Sequence, residues 1–218
     1  MTLKPEDTAL FYELFMPLLN YVNHHYHVTE DIDFTGKSVD AAKAMKVARF
    51  LWKRPSIIDD YINENIFPLE QMDILSNWKH CIPGRFIIER HLKKGSVFIS
   101  TDDESVYLVN GIIVSWDDML FGVPTPIIVD AVLLPFRECI ITDGLVSVIP
   151  VRFGGNYTRS FKEIYITAKR NGSIIKIHIV HRAGWFFLRP SGAVFFLSIA
   201  VYLTLTNYKA KQFLINLL

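Results

Sequence analysis

The sequence predicts an α+β protein: a helical N-terminal region packed on a small antiparallel β-barrel or curled sheet, followed by a hydrophobic C-terminal segment. Three observations carry that expectation. Apolar residues recur at helical spacing as far as Cys81; from Pro83 the chain changes to short β-branched and aromatic runs separated by turn compositions; and Pro190 to Tyr208 contains no charged residue. The implied division is a helical region over residues 1–82, a small barrel-like β domain with one helix over 83–180, and a basic, then apolar segment over 181–218.

Residues 5 to 27 read as an amphipathic helix, with Pro5 suited to its first turn and Leu10, Phe11, Leu14, Phe15, Leu18, Leu19 and Val22 recurring along one side. Pro17 is expected to bend it. Ser38 is a candidate cap for a second helix whose Ala41, Ala44, Met45, Ala48 and Leu51 share a face, and Pro55 ends it. Ser56 and Asp59 resemble a capping pair for a short third helix, and Pro68 opens a fourth in which Leu69, Met72, Leu75 and Trp78 recur.

Phe86 to Leu92, Ser96 to Ser100, Val106 to Val114, Ile127 to Leu134, Glu138 to Ile141 and Leu145 to Val151 read as strands. The turns between them include Lys93-Lys94-Gly95, Thr101 to Glu104 and Asp143-Gly144. That many short strands in so little chain must close or be covered at the edges, which favours a barrel or a strongly curled sheet. Asn156 or Thr158 is a candidate cap for a helix over Ser160 to Arg170, stopped by Asn171-Gly172, and Ser173 to Val180 alternates like a strand.

With 218 residues, 50% of them hydrophobic and 13% aromatic, the chain can bury a large core and is not a disordered tail. Two cysteines, Cys81 and Cys139, are too few for a disulfide scaffold or a four-thiolate zinc site and suit a reducing compartment. The formal charge of +1 conceals a strong asymmetry: 13 Lys/Arg and 21 Asp/Glu lie up to Pro150, against 10 Lys/Arg and the single acid Glu163 beyond it. An acidic body with a basic arm can meet lipid, nucleic acid or itself.

The start of the chain carries Glu6, Asp7 and Glu13 where a secretory signal needs a positive and then uninterrupted apolar stretch, so a cytoplasmic body is expected. The uncharged run 190–208 just reaches the length of a membrane span. Arg182 and Arg189 precede it, and the positive-inside tendency puts the preceding domain on the cytoplasmic side. A buried core segment and a non-native terminus are the other readings of the same run.

Candidate chemistry is sparse. Asp130 interrupts the apolar run Ile127 to Leu134, and simple alternation puts Glu89 and His91 on one face of the first strand, so Asp130, Glu89 and His91 are the candidate catalytic residues of a hydrolase or nuclease-like site at a barrel mouth. Arg49, Lys53, Arg54 and Lys79, interleaved with Phe50, Trp52 and Trp78, are the candidate nucleic-acid contacts. The acidic body opposes that use, because the phosphate backbone dominates such affinity. His24 and His27 share a helical face and Asp102, Asp103 and Glu104 cluster, but a polar helix end and a solvated turn account for them, and no metal is expected. Nucleotide-loop, hydrolase-elbow, zincin and dinucleotide motifs do not occur in the sequence, so no cofactor is expected. A binding or regulatory module, membrane-anchored through 190–208, is the leading expectation.

The segments DILSNWKHCIPGRFIIERHLKKGSVFIS (Asp73 to Ser100), VYLVNGI (Val106 to Ile112) and PIIVDAVLLPFRECIITDGLVS (Pro126 to Ser147) resemble a family of uncharacterised bacterial proteins. The likeness spans roughly residues 40 to 172, including GGNYTRSFKEIY. It implies a shared fold and no established activity. Some members look as if they carry a Cys-rich zinc-binding tail that this chain lacks.

Overall fold

The computed structural model describes residues 1–30, 33–35 and 39–177. The uncharged run 190–208, the end of the alternating stretch after Ile177, His178, His181 and the proposed Ser38 cap lie outside the described residues. No helix among the described residues is long and apolar enough to cross a membrane.

Helix α1 (Pro5–Tyr26) starts with proline in its first turn beside Glu6 and Asp7, where the missing N–H costs nothing and the acids meet the positive end of the helix. It runs on through Pro17 and stops at His27, whose backbone turns left-handed at φ 48°. Phe11, Leu14, Phe15, Leu18, Leu19 and Val22 form its buried stripe. Helix α2 (Ala41–Trp52) is capped by Asp40, whose carboxylate accepts from the backbone N–H groups of Ala42 and Lys43. Helix α3 (Ile57–Glu64) follows Ser56, but that side chain makes no cap bond: Ser56 is itself in a helical conformation, so its hydroxyl is not aimed at the free amides. Helix α4 (Leu69–Trp78) buries Ile74, Leu75 and Trp78, while Leu69 stays exposed.

The β region comprises β1 (Ile82–Leu92), β2 (Gly95–Ser100), β3 (Val106–Val109), the short helix α5 (Trp116–Met119), β4 (Ile127–Phe136), β5 (Cys139–Thr142) and β6 (Ser147–Ile149), and helix α6 (Gly155–Arg170) follows. The α+β class holds. The sheet is six-stranded and mixed rather than wholly antiparallel: β1 pairs with β2 and with β4, β2 with β3, β4 with β5 and β6, and β3 with β5 in parallel through Val109 and Ile140. The connection through α5 and β4 reverses the chain twice, which brings β5 beside β3 in the same direction.

β3 ends earlier than the sequence pattern suggests because the chain turns sharply at Gly111, where a Cβ would stand 1.9 Å from the Val114 carbonyl oxygen. Only glycine allows that approach. Ser115 caps α5 by accepting from the Asp118 N–H, and its hydroxyl donates to the Asp118 carboxylate at 2.6 Å, so the acid returns the bond rather than making the cap.

Three apolar clusters hold these parts together. Phe86, Ile88, Phe98, Val109, Val129, Leu133 and Ile140 pack with Trp116 and Leu120 of the α5 segment in one cluster. Helices α1 to α4 join Leu134, Phe136 and Ile141 over β4 and β5. Helix α6 lays Tyr165 and Ala168, with Phe161 and Ile164 at the margin, on Ile87, Val97, Ile99 and Val106 of β1 to β3.

Candidate functional site

The first strand decides where the candidate residues go. Its register against β2 shifts between Ile88 and Arg90, leaving Glu89 as the extra residue of a β-bulge. A bulge resets the alternation of side chains. Arg90 therefore lies on the α6 side, its guanidinium 4.4 Å from the centre of the Tyr165 ring, and it donates two hydrogen bonds to the neighbouring Glu89 carboxylate. Glu89 is buried, and it is neutralised by this pair. His91 resumes pairing opposite Ser96, with Nδ1 at 2.8 Å from the serine hydroxyl. The expected Glu89 and His91 pairing is thus absent: each side chain has another partner, because the strand does not keep a period of two through the bulge.

Asp130 stands opposite Arg85 on the β1 and β4 pair and accepts from its Nε at 2.8 Å and from its Nη2 at 3.2 Å. The Arg85 guanidinium holds the Asp130 carboxyl below its ordinary range. Asp130 is 42% exposed, so its carboxylate faces water rather than a buried pocket. Glu89 lies four residues along β1 from Arg85, roughly 13 Å at strand spacing. The three candidate catalytic side chains do not converge on one reacting atom.

The structure assembles a different set around His91. Its Nε2 is 3.9 Å from the Asp117 carboxylate, at the start of α5, and has no hydrogen-bond partner among the described residues. Burial lowers the His91 pKa, partly opposed by Asp117. Ser96, His91 and Asp117 thereby line up as hydroxyl, imidazole and carboxylate. The ring is reversed relative to a hydrolase triad, in which Nε2 faces the serine and Nδ1 the acid. Ser96 is also only 3% exposed. The signal for Ser96 was in the hairpin: Lys93-Lys94 as a two-residue turn puts His91 across from Ser96.

A buried carboxylate sits at the junction of helices and sheet. Asp143 accepts from the Trp52 indole at 2.8 Å and from the Leu145 N–H at 3.0 Å, and burial pushes its carboxyl up to about 6. Neighbouring Cys81 is pushed up to about 11 by burial and by Asp143, so its thiol is protonated at neutral pH and unsuited to nucleophilic attack. By sequence alone Asp143 reads only as the start of a turn, because its burial depends on Trp52, far away in the chain.

The candidate nucleic-acid contacts each have their own setting. Arg49 donates to the Ser147 hydroxyl at 3.3 Å, Arg54 stacks over Phe50 at 4.3 Å, Lys79 pairs with Asp59 at 2.5 Å, and Lys53 is exposed at the end of α2. Trp52 and Trp78 are core residues, unable to stack on bases where they stand.

Comparison with known proteins finds no matching family model, curated protein or solved structure.

The most unusual surface is the connection between β3 and β4. Ile113, Val114, Met119 and Val123 are exposed there, and Phe121 is 94% exposed. The frame beneath them is fixed. Trp116 packs edge-on to Phe98 at 5.0 Å and its indole donates to the Asn110 carbonyl oxygen, while the N-terminal residues clamp Gly111 through the Met1 carbonyl and the Leu3 N–H.

Proposed function

We propose that this protein is a non-enzymatic binding or regulatory module, held to a membrane by residues 190–208. The observation that carries the binding part is the set of apolar side chains presented by the connection between β3 and β4. An exposed apolar group on a fixed frame is what a docking surface needs, because little ordering entropy is lost when a partner covers it. The membrane part rests on the uncharged run in the sequence. The pairing sequence from β1 through β2, β3, β5 and β4 back to β1 supports reading the sheet as a small closed barrel, with α5 plugging one end and the exposed connection at its rim.

A photo-crosslinking residue placed at position 121 of the full chain in its host cell tests the surface. A discrete adduct is expected there, absent with the same group at exposed position 104 and weakened by Ile113→Ser with Val123→Ser. Adducts of equal yield at both positions would remove the proposal. For the anchor, the full chain should fractionate with membranes and a chain ended at Val180 should not. If the shortened chain stays wholly in the pellet, residues 190–208 are not what holds it.

The alignment of Ser96, His91 and Asp117 favours hydrolysis as a second reading. A fluorophosphonate probe should then label wild type and spare Ser96→Ala. Equal absence of labelling in both, expected from the burial of Ser96, leaves the binding module standing.

A further inference from the structure

The outer face of α6 is chemically unlike the rest of the described surface. Residues 152–177 carry six basic side chains, Arg152, Arg159, Lys162, Lys169, Arg170 and Lys176, against one acid, Glu163. All six are exposed, and none of them is in an ion pair among the described residues. Elsewhere Lys43, Lys79, Arg85, Arg90 and Arg137 each face a carboxylate, and the described cations up to Pro150 that make no ion pair lie in a segment where acids outnumber bases 21 to 13. At 3.6 residues per turn Arg159, Lys162, Lys169 and Arg170 fall within an arc of roughly 100°, opposite Phe161 and Ala168, which face the sheet. Ile166 is exposed within that arc, and Tyr157 is exposed near the start of the helix.

We propose that this face of α6 lies against an anionic phospholipid surface. The inference rests on the membrane reading above and adds to it the leaflet chemistry and the side of the molecule that meets it. Only thirteen residue steps separate Ile177 from Pro190, at most about 45 Å of chain, so an anchor at 190–208 keeps α6 close to the headgroups. Arg182 and Arg189 extend the basic stretch toward that run. Clustered cations next to an anchoring segment are drawn to anionic headgroups, and tethering raises their effective concentration there. A single exposed isoleucine among four cations makes the contact electrostatic, with the helix resting on the surface rather than sinking into it. Nucleic acid would also be attracted to such a stripe, but only lipid accounts as well for the uncharged run 190–208 that follows it.

The test uses the full chain with vesicles of phosphatidylcholine alone and of equimolar phosphatidylcholine and phosphatidylserine, labelled with an amine-reactive reagent and read lysine by lysine by mass spectrometry. Lys162 and Lys169 should be protected on the anionic vesicles at low salt and recover at high salt. Lys4, Lys46, Lys93 and Lys94 should react alike on both. Equal labelling of Lys162 and Lys169 on the two vesicles would overturn the proposal. The substitution Arg159→Gln, Lys162→Gln, Lys169→Gln and Arg170→Gln should reduce preference for anionic over neutral vesicles by roughly 100-fold or more, since each cation near the surface adds about 1 kcal/mol. The same change at Lys4, Lys46, Lys93 and Lys94 should not. Binding to neutral vesicles reports the anchor by itself: its loss with protection retained on anionic vesicles removes the anchor and keeps the α6 surface. If an oligonucleotide protects the same lysines and displaces the anionic vesicles at lower concentration, nucleic acid replaces lipid as the partner and the proposal fails.

Discussion

Helices α1 to α4 and helix α6 cover two parts of the same sheet by opposite means. The first group brings several large side chains to the contact: Phe11, Phe15, Trp52 and Trp78 interlock through stacked and edge-on rings, and Phe136 of β4 joins them. Acids and bases are mixed over its outer surface, and some of them pair, as Arg137 does with Asp7 and Glu70 and Lys79 with Asp59. Helix α6 fully buries only Tyr165 and Ala168 and leaves its outer cations unmatched. One covering is built to be permanent. The other is thinner, with charge left over for something outside the molecule, and local opening is easier where few apolar groups are buried.

Stability should divide along that line. Trp78 is wholly buried against Phe11 and Phe15, so Trp78→Ala should cost about 3 to 5 kcal/mol in chemical denaturation. Tyr165→Ala removes a ring whose other face holds the Arg90 guanidinium, yet it sits under a single helix that can settle into the space, and about half that loss is expected. Equal losses would show that α6 is as firmly seated as the N-terminal helices.

The junction under the N-terminal helices adds a pH signature. Asp143 has a folded pKa of about 6 against an ordinary 3.8. Between those values the folded state holds a proton that the unfolded chain has released, so stability falls as pH rises from about 4 to 6, by up to ~3 kcal/mol for a shift of this size. Asp143→Asn should flatten that slope in midpoints measured across the window. At the α5 end of the sheet His91 has the opposite sign. Its pKa is lowered by burial from 6.5, so the unfolded chain takes up protons first and stability falls as pH drops below about 6.5. His91→Gln should remove that smaller loss. If both variants keep the wild-type profile, neither burial is real in solution.

How far the sequence was legible follows from how local each cause is. The span of α1, the α+β class and the run of short strands rest on spacing and on Pro, Gly and Asp positions within a few residues, and they could be read directly. Pairing across the chain could not. One inserted residue at Glu89 inverted the faces assigned to Arg90 and His91, and the burial of Asp143 depends on an indole from α2. The parallel contact of β3 with β5 arises from a path in space that alternation does not encode. The basic composition beyond Pro150 was visible, but the gathering of Arg159, Lys162, Lys169 and Arg170 on one outward stripe of α6 needed the helix's inward face to be known.

The smallest expected effect is also the sharpest test of the catalytic assignment first drawn from the strands. Asp130 and Arg85 face water on the β1 and β4 pair, where ion pairing is offset by solvation and by the entropy of holding two long side chains together. Asp130→Asn should therefore leave the denaturation midpoint unresolved from wild type, and should leave crosslinking from position 121 unchanged. A catalytic or docking role for that carboxylate predicts the contrary: a function lost with stability intact. Finding it would move the working surface from the connection between β3 and β4 to the exposed edge of Arg85 and Asp130, and would make the pair a poised group instead of a solvated one.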